Sequence, residues 1–124
     1  MRAYLLKQNE TKLRPVDIKD GMDIYHLLGD NIFDSVYPDI HYAISFDDME
    51  AYKNTVLYVD DAGALKENCV PNLELVTTLL YGDIVITQVA EDDPDTFVDM
   101  DENKAKHFLT KMVRGRRNPY RKIS

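Results

Sequence analysis

Residues 83–91, DIVITQVAE, set Ile84, Val85, Ile86, Thr87 and Val89 almost side by side. β-Branched side chains are stiff at χ1 and fit a pleated surface better than a helix. This stretch therefore predicts a strand, and the rest of the chain must supply its partners. RAYLLKQ (2–8) and KLRPVDIK (12–19) read as two strands joined by a polar turn, with Pro15 placing the second at an edge or at its own start. NIFDSVYPD (31–39) and HYAISFDD (41–48) suggest strands around Pro38, and TVLYVDDAGALK (55–66) suggests a strand, a short turn and a second strand. DGMDIYHLLGD (20–30) reads as a helix stopped by Gly29, and PNLELVTTLLYGD (71–83) as a helix that Asn72 caps and Gly82 ends. EDDPDTFVDMDE (91–102) reads as an acidic turn. Strands outnumber helices at hairpin-like spacing. The expected architecture is α+β, a mainly antiparallel sheet of about 5–6 strands with two or three helices on one face. A single domain over 1–114 is followed by a basic tail, 115–124.

The chain has 124 residues, enough for one core. Cys69 is the single cysteine, so no internal disulfide forms, which fits a reducing compartment. Ala3 to Leu6 is too short an apolar run for a signal peptide, and no run reaches the roughly 18–20 residues of a membrane span. The expected location is the cytoplasm of a host or infected cell.

The net charge of −7 is unevenly placed. Residues 1–102 carry all 22 carboxylates and seven Lys or Arg, a net −15; residues 103–124 carry eight Lys or Arg, a net +8. The last helix is expected over about Asp101 to Arg114, with Ala105, Phe108, Leu109, Met112 and Val113 forming one apolar stripe. Acids at its start and Lys111 and Arg114 at its end suit the helix dipole, and Gly115 suits its C-terminal boundary. Arg116, Arg117, Arg121 and Lys122, with Tyr120 among them, exceed what a helix needs. They read either as a tail held against the acidic body or as a set that holds phosphates and stacks a base.

His26, His41 and His107 lack metal-ligand spacing, and Cys69 has no second thiol; no metal or cofactor is expected. A nucleophilic Cys69 would need His26 or His41 brought to it by the fold. Glycine-rich phosphate loops, GxSxG and HExxH are absent. Carboxylates gather at Asp47, Asp48 and Glu50, which read as a helix start; at Asp60 and Asp61, a turn; and at Glu91, Asp92, Asp93 and Asp95, a loop without the glycine-containing Ca²⁺ pattern. Of eight tyrosines, Tyr37, Tyr42, Tyr52, Tyr58, Tyr81 and Tyr120 are interspersed with acids, and two or three of them suit a protein contact or a stacking pocket.

IYHLLGDNIFDSVYP, LYVDDAGAL and VPNLELVTTLLYGDIVI, within about residues 24–90, resemble a domain-of-unknown-function family of phages and mobile elements. The resemblance implies a short helix, a glycine turn leading a strand, an extended hairpin, an Asn-started helix and a closing strand. It implies no catalytic residue. The functional expectation is a non-enzymatic accessory protein of a phage or mobile element, an anti-defence factor or nuclease inhibitor that mimics nucleic acid. Its acidic body, through the nine carboxylates just named, would meet a basic host or phage protein. The alternative is a nucleotide-sequestering protein in which Lys111, Arg114, Arg116, Arg117, Arg121 and Lys122 hold phosphates and Tyr120 stacks. A hydrolytic enzyme acting through Cys69 or a carboxylate pair has no motif behind it. Acidic body and basic end are self-complementary, so a homo-oligomer is expected.

Overall fold

The computed structural model describes residues 1–113. The strand at its centre is the one the sequence marks most strongly. β7 (Ile84–Ala90) pairs antiparallel with β1 (Arg2–Leu6) on one side and β4 (Thr55–Asp60) on the other. β2 (Arg14–Asp17) and β3 (Phe33–Val36) close the two edges, giving the order β2-β1-β7-β4-β3, and β8 (Asp93–Val98) pairs with the far end of β7. Pro15 sits on edge strand β2, as a residue without an N–H must. β5 (Pro71–Leu75) and β6 (Thr78–Tyr81) form a separate two-stranded sheet. The fold is α+β, as expected.

A strand between two neighbours that is covered on both faces must be apolar on both. Ile84, Val85 and Ile86 are all fully buried. Ile84 and Ile86 join Tyr4, Leu6, Leu57 and Val59 beneath α2 (Phe46–Tyr52), α3 (Glu102–His107) and the β5–β6 hairpin. Val85 joins Ala3, Leu5, Ile18, Ile24 and Leu28 beneath α1 (Gly21–Leu27). The helices therefore lie on both faces of the sheet, not on one. α1 starts at Asp20, whose side chain accepts from Met22 N–H, and Gly29 follows its end at φ +77°, a conformation that costs glycine little.

Four elements depart from the sequence reading. Residues 71–83 are a hairpin, not a helix. Leu73 and Leu75 alternate with exposed Glu74, and Asn72 is buried within β5 instead of capping a helix. The Asn72 Nδ2 group donates to Leu6 O at 3.2 Å and to Gly82 O at 2.7 Å, fastening the small sheet to β1. Residues 41–48 hold no strand: a 3-10 turn (Ile40–Tyr42) leads into α2. The second strand expected within 55–66 is a 3-10 turn, Gly63–Leu65. The acidic stretch 91–102 contains strand β8, whose turn is fixed by Asp93 accepting from Asp95 N–H and Thr96 Oγ1. The last helix is short, passing into a 3-10 turn at Phe108–Lys111; Ala105 and Phe108 are buried, and Leu109 and Met112 pack at the core's margin. No helix among the described residues is long and apolar enough to cross a membrane.

Candidate functional site

Among the described residues, twelve large apolar side chains are exposed, and six of them fall in one thirteen-residue stretch: Tyr37, Ile40, Tyr42, Ile44, Phe46 and Met49. The local backbone explains why Tyr42, Ile44, Phe46 and Met49 among them form a ridge. Ala43 and Ser45 are extended, so neighbouring side chains alternate. Ala43 packs toward the core and Ser45 caps α2, while Tyr42, Ile44 and Phe46 turn outward. From Phe46 onward the helix takes over, and Met49 and Glu50, three and four residues on, continue the same ridge. Ile44 is 81 % exposed and Phe46 71 %. Asp47 and Glu50 are exposed along it.

One buried carboxylate holds this ridge in place. Asp48 is only 2 % exposed. Its Oδ2 accepts from Ile44 N–H at 3.0 Å, its own N–H donates to Ser45 Oγ at 3.1 Å, and together these tie the turn before α2 to the helix's first turn. On the other side His107 Nε2 lies 2.5 Å from Oδ1, and Lys111 Nζ lies 3.0 and 3.1 Å from the two oxygens. Burial alone would push the Asp48 carboxyl up. The hydrogen bonds from His107, Ile44 N–H and Lys111 outweigh it and hold the group at about 2. Burial opposes the Lys111 charge too, yet bonding to Asp48 raises its pKa.

These contacts correct two expectations. Asp48 is an internal anchor, not part of an acidic contact surface. Lys111 is that anchor's partner and not a free phosphate ligand. Asp60 is likewise engaged: Lys66 Nζ is 2.5 Å from its Oδ2, and its Oδ1 accepts from Ala62 N–H. Asp47, Glu50, Asp61, Glu91, Asp92, Asp93 and Asp95 are exposed. They do not form one surface. Asp60 ends β4 and Asp61 follows it, about 17 Å along the strand from Thr55. The 91–95 turn extends past Gln88, which pairs with Thr55 at the other end. Arg114, Arg116, Arg117, Tyr120, Arg121 and Lys122 lie outside the described residues. Lys104 donates to Gln88 Oε1 at 2.6 Å and to Lys53 O, so a second cation of the last helix also serves the body.

The histidines each face an aspartate: His26 with Asp30 at 2.7 Å, His41 with Asp39 at 3.0 Å, and His107 with Asp48. Cys69 instead adjoins Asn68 and Gly82, and burial raises its pKa, the reverse of thiolate activation. No three His, Cys, Asp or Glu among the described residues are placed to hold a metal ion. An open cleft of about 600 Å³ is lined by Arg2, Pro15, Val16, Asp17, Asp99 and Met100; Asp99 there accepts from Arg2 N–H at 2.7 Å.

Comparison of the chain with family models, curated proteins and solved structures yields no match. The sequence carried a signal for the helix: Asp47, Asp48 and Glu50 read as a helix start, and Ser45-Phe46-Asp47-Asp48 is the S-x-x-D pattern that supplies its cap.

Proposed function

We propose that the protein is a non-enzymatic binding module whose contact face is the ridge Tyr37–Glu50, and that its partner is a protein with a basic, partly apolar surface. The observation that carries this reading is the concentration of outward-facing Ile44, Phe46, Met49 and Tyr42 on a segment anchored from beneath by buried Asp48. Exposed apolar side chains gathered in one place, rimmed by polar groups, are the mark of a protein contact. Aromatic and aliphatic anchors supply the affinity of such contacts, and charges supply steering and partner choice. Asp39, Asp47 and Glu50 give this rim a negative sign, matching the excess of 15 negative charges over residues 1–102. The acidic character thus chooses the partner, while the apolar ridge holds it. Lys111, the described member of the nucleotide-binding set, is engaged by Asp48, so nothing described favours that alternative.

Selection from a random twelve-residue peptide display on the immobilised full chain, counter-selected with the Ile44→Ser/Phe46→Ser double variant, tests the proposal. The enriched peptides are expected to carry at least two Lys or Arg beside an aliphatic or aromatic residue. Their binding should weaken as salt rises from 0.05 to 0.5 M on the order of tenfold, since the rim is exposed to screening. Peptides without basic residues, or peptides that bind the double variant equally well, would overturn it. So would sedimentation as a dimer that the double substitution dissolves, which would give the face to a second copy of the chain.

A further inference from the structure

Beside the ridge, Tyr37, Pro38 and Asp39 from the loop after β3, Tyr42 from the 3-10 turn, and Val76 to Thr78 from the β5–β6 turn surround a cavity of about 40 Å³. On this measure a water occupies about 10–15 Å³, so the cavity has room for about three. Its lining has a definite chemistry. Three tyrosines line it, Tyr37 and Tyr42 exposed and Tyr52 buried. Tyr52 is fixed there, its ring stacked on Phe108 at 5.8 Å and 26°. Among the described residues no lysine or arginine lines the cavity, and the one carboxylate that does is Asp39. Asp39 is held in place by His41, whose N–H donates to Oδ1 at 2.9 Å. Hydrogen bonds from the His41 backbone and ring also lower the Asp39 pKa. Lys111, 5.9 Å from the Tyr52 ring centroid, is neutralised by Asp48.

We infer that this cavity is the seat for one lysine side chain of the partner, its ammonium against the Tyr37 and Tyr42 rings and facing Asp39. The inference rests on the proposed contact face and deepens it by naming the group recognised. Aromatic faces attract cations electrostatically, and a nearby carboxylate adds a second attraction of the same sign. The space suits an ammonium with its last methylenes. Tyr42 belongs to both cavity and ridge, so a single basic peptide strand reaches both.

The test is a ¹H–¹⁵N NMR titration of the full chain with three small probes: Nα-acetyl-lysine methyl ester, its Nε-acetylated counterpart, and Nα-acetyl-norleucine methyl ester. The lysine probe is expected to shift the amides of Tyr37, Tyr42 and Val76, binding at least about fivefold tighter than either neutral probe, the equivalent of about 1 kcal/mol of cation–aromatic attraction. Tyr37→Phe/Tyr42→Phe should retain the response and Tyr37→Ala/Tyr42→Ala should lose it; both rings are exposed, so folding is spared. Equal response to norleucine, or no response at these amides, would overturn the inference. If selected peptides still bind through Ile44 and Phe46 in that event, the contact face stands and only its lysine seat is lost. If they do not, the face itself falls.

Discussion

Replacing Phe108 with alanine is expected to lower the free energy of unfolding by about 3–5 kcal/mol, the range for emptying a fully buried aromatic site. Phe108 is 0 % exposed, at the junction of α3 and the 3-10 turn that follows it. Its ring stacks on Tyr52 of α2, so one side chain joins the last helix to the helix that carries the contact ridge. Alanine at 108 would leave a void between two helices and remove the support beneath Tyr52. Thermal denaturation should show a fall of more than about 10 °C in Tm. Phe108→Leu, which keeps most of the volume, should lose about half as much or less. Equal stability of the alanine variant and the parent would mean that α3 is not docked through this residue.

Asp48→Asn is expected to cost about 3 kcal/mol near neutral pH, because removing one partner of a buried pair leaves the others uncompensated. Lys111 and His107 would both face an uncharged amide, and Ile44 N–H would lose a charged acceptor. The substitution also has a pH signature. The Asp48 pKa is lowered in the folded chain, to about 2 from an ordinary 3.8. A group lowered by folding contributes stability that is fully present above its unfolded value and is lost as pH falls toward its folded value. The parent should therefore lose on the order of 2 kcal/mol between about pH 4 and pH 2 through this carboxyl, at about 1.4 kcal/mol per unit. The asparagine variant should lack that component. Urea unfolding of both chains at pH 6 and pH 3 reads the difference. Identical pH dependence in the two would remove Asp48 from the role of anchor. Lys111 has the opposite sign: its raised pKa adds stability that is present below its ordinary value and is lost only at strongly alkaline pH.

The parts of the fold legible in the sequence are those in which local pattern and tertiary need agree. β7 is β-branched because it is buried on both faces, and the β2 edge is legible from Pro15. Of the expected stripe, Ala105, Phe108, Leu109 and Met112 meet the core, although the α-helix ends at His107, and Val113 is not part of that cluster. Residues 71–83 were illegible because Pro71, Asn72 and a leucine-rich run imitate a capped helix. The period of two in Leu73-Glu74-Leu75 becomes decisive only when the main sheet offers Leu6 O as a partner for Asn72. At Tyr42, Ile44 and Phe46 the same alternation gave the opposite error: the backbone is extended at Ala43 and Ser45, between a 3-10 turn and a helix, and forms no strand.

Charge was the least legible feature. Asp48 and Lys111 are 63 residues apart, and no local pattern reveals that they neutralise each other. Read as composition, the acids form one surface facing a basic end. Folded, Asp48, Asp60, Lys66, Lys104 and Lys111 are bound within the body. Tyr37, Tyr42 and Tyr52, three of the six tyrosines interspersed with acids, line one cavity, which the sequence spacing did not single out.

The account rests on the ridge serving an outside partner and not the fold's own stability. The affinity of one selected basic peptide for the parent and for Ile44→Ser/Phe46→Ser, measured beside the two melting curves, tests this most directly. Both side chains are mostly exposed, so the double variant should unfold within about 0.5 kcal/mol of the parent. Its affinity should fall at least about thirtyfold, the loss of two anchors worth about 1 kcal/mol or more each. A variant that binds as tightly as the parent, or one that melts far earlier, would contradict the account.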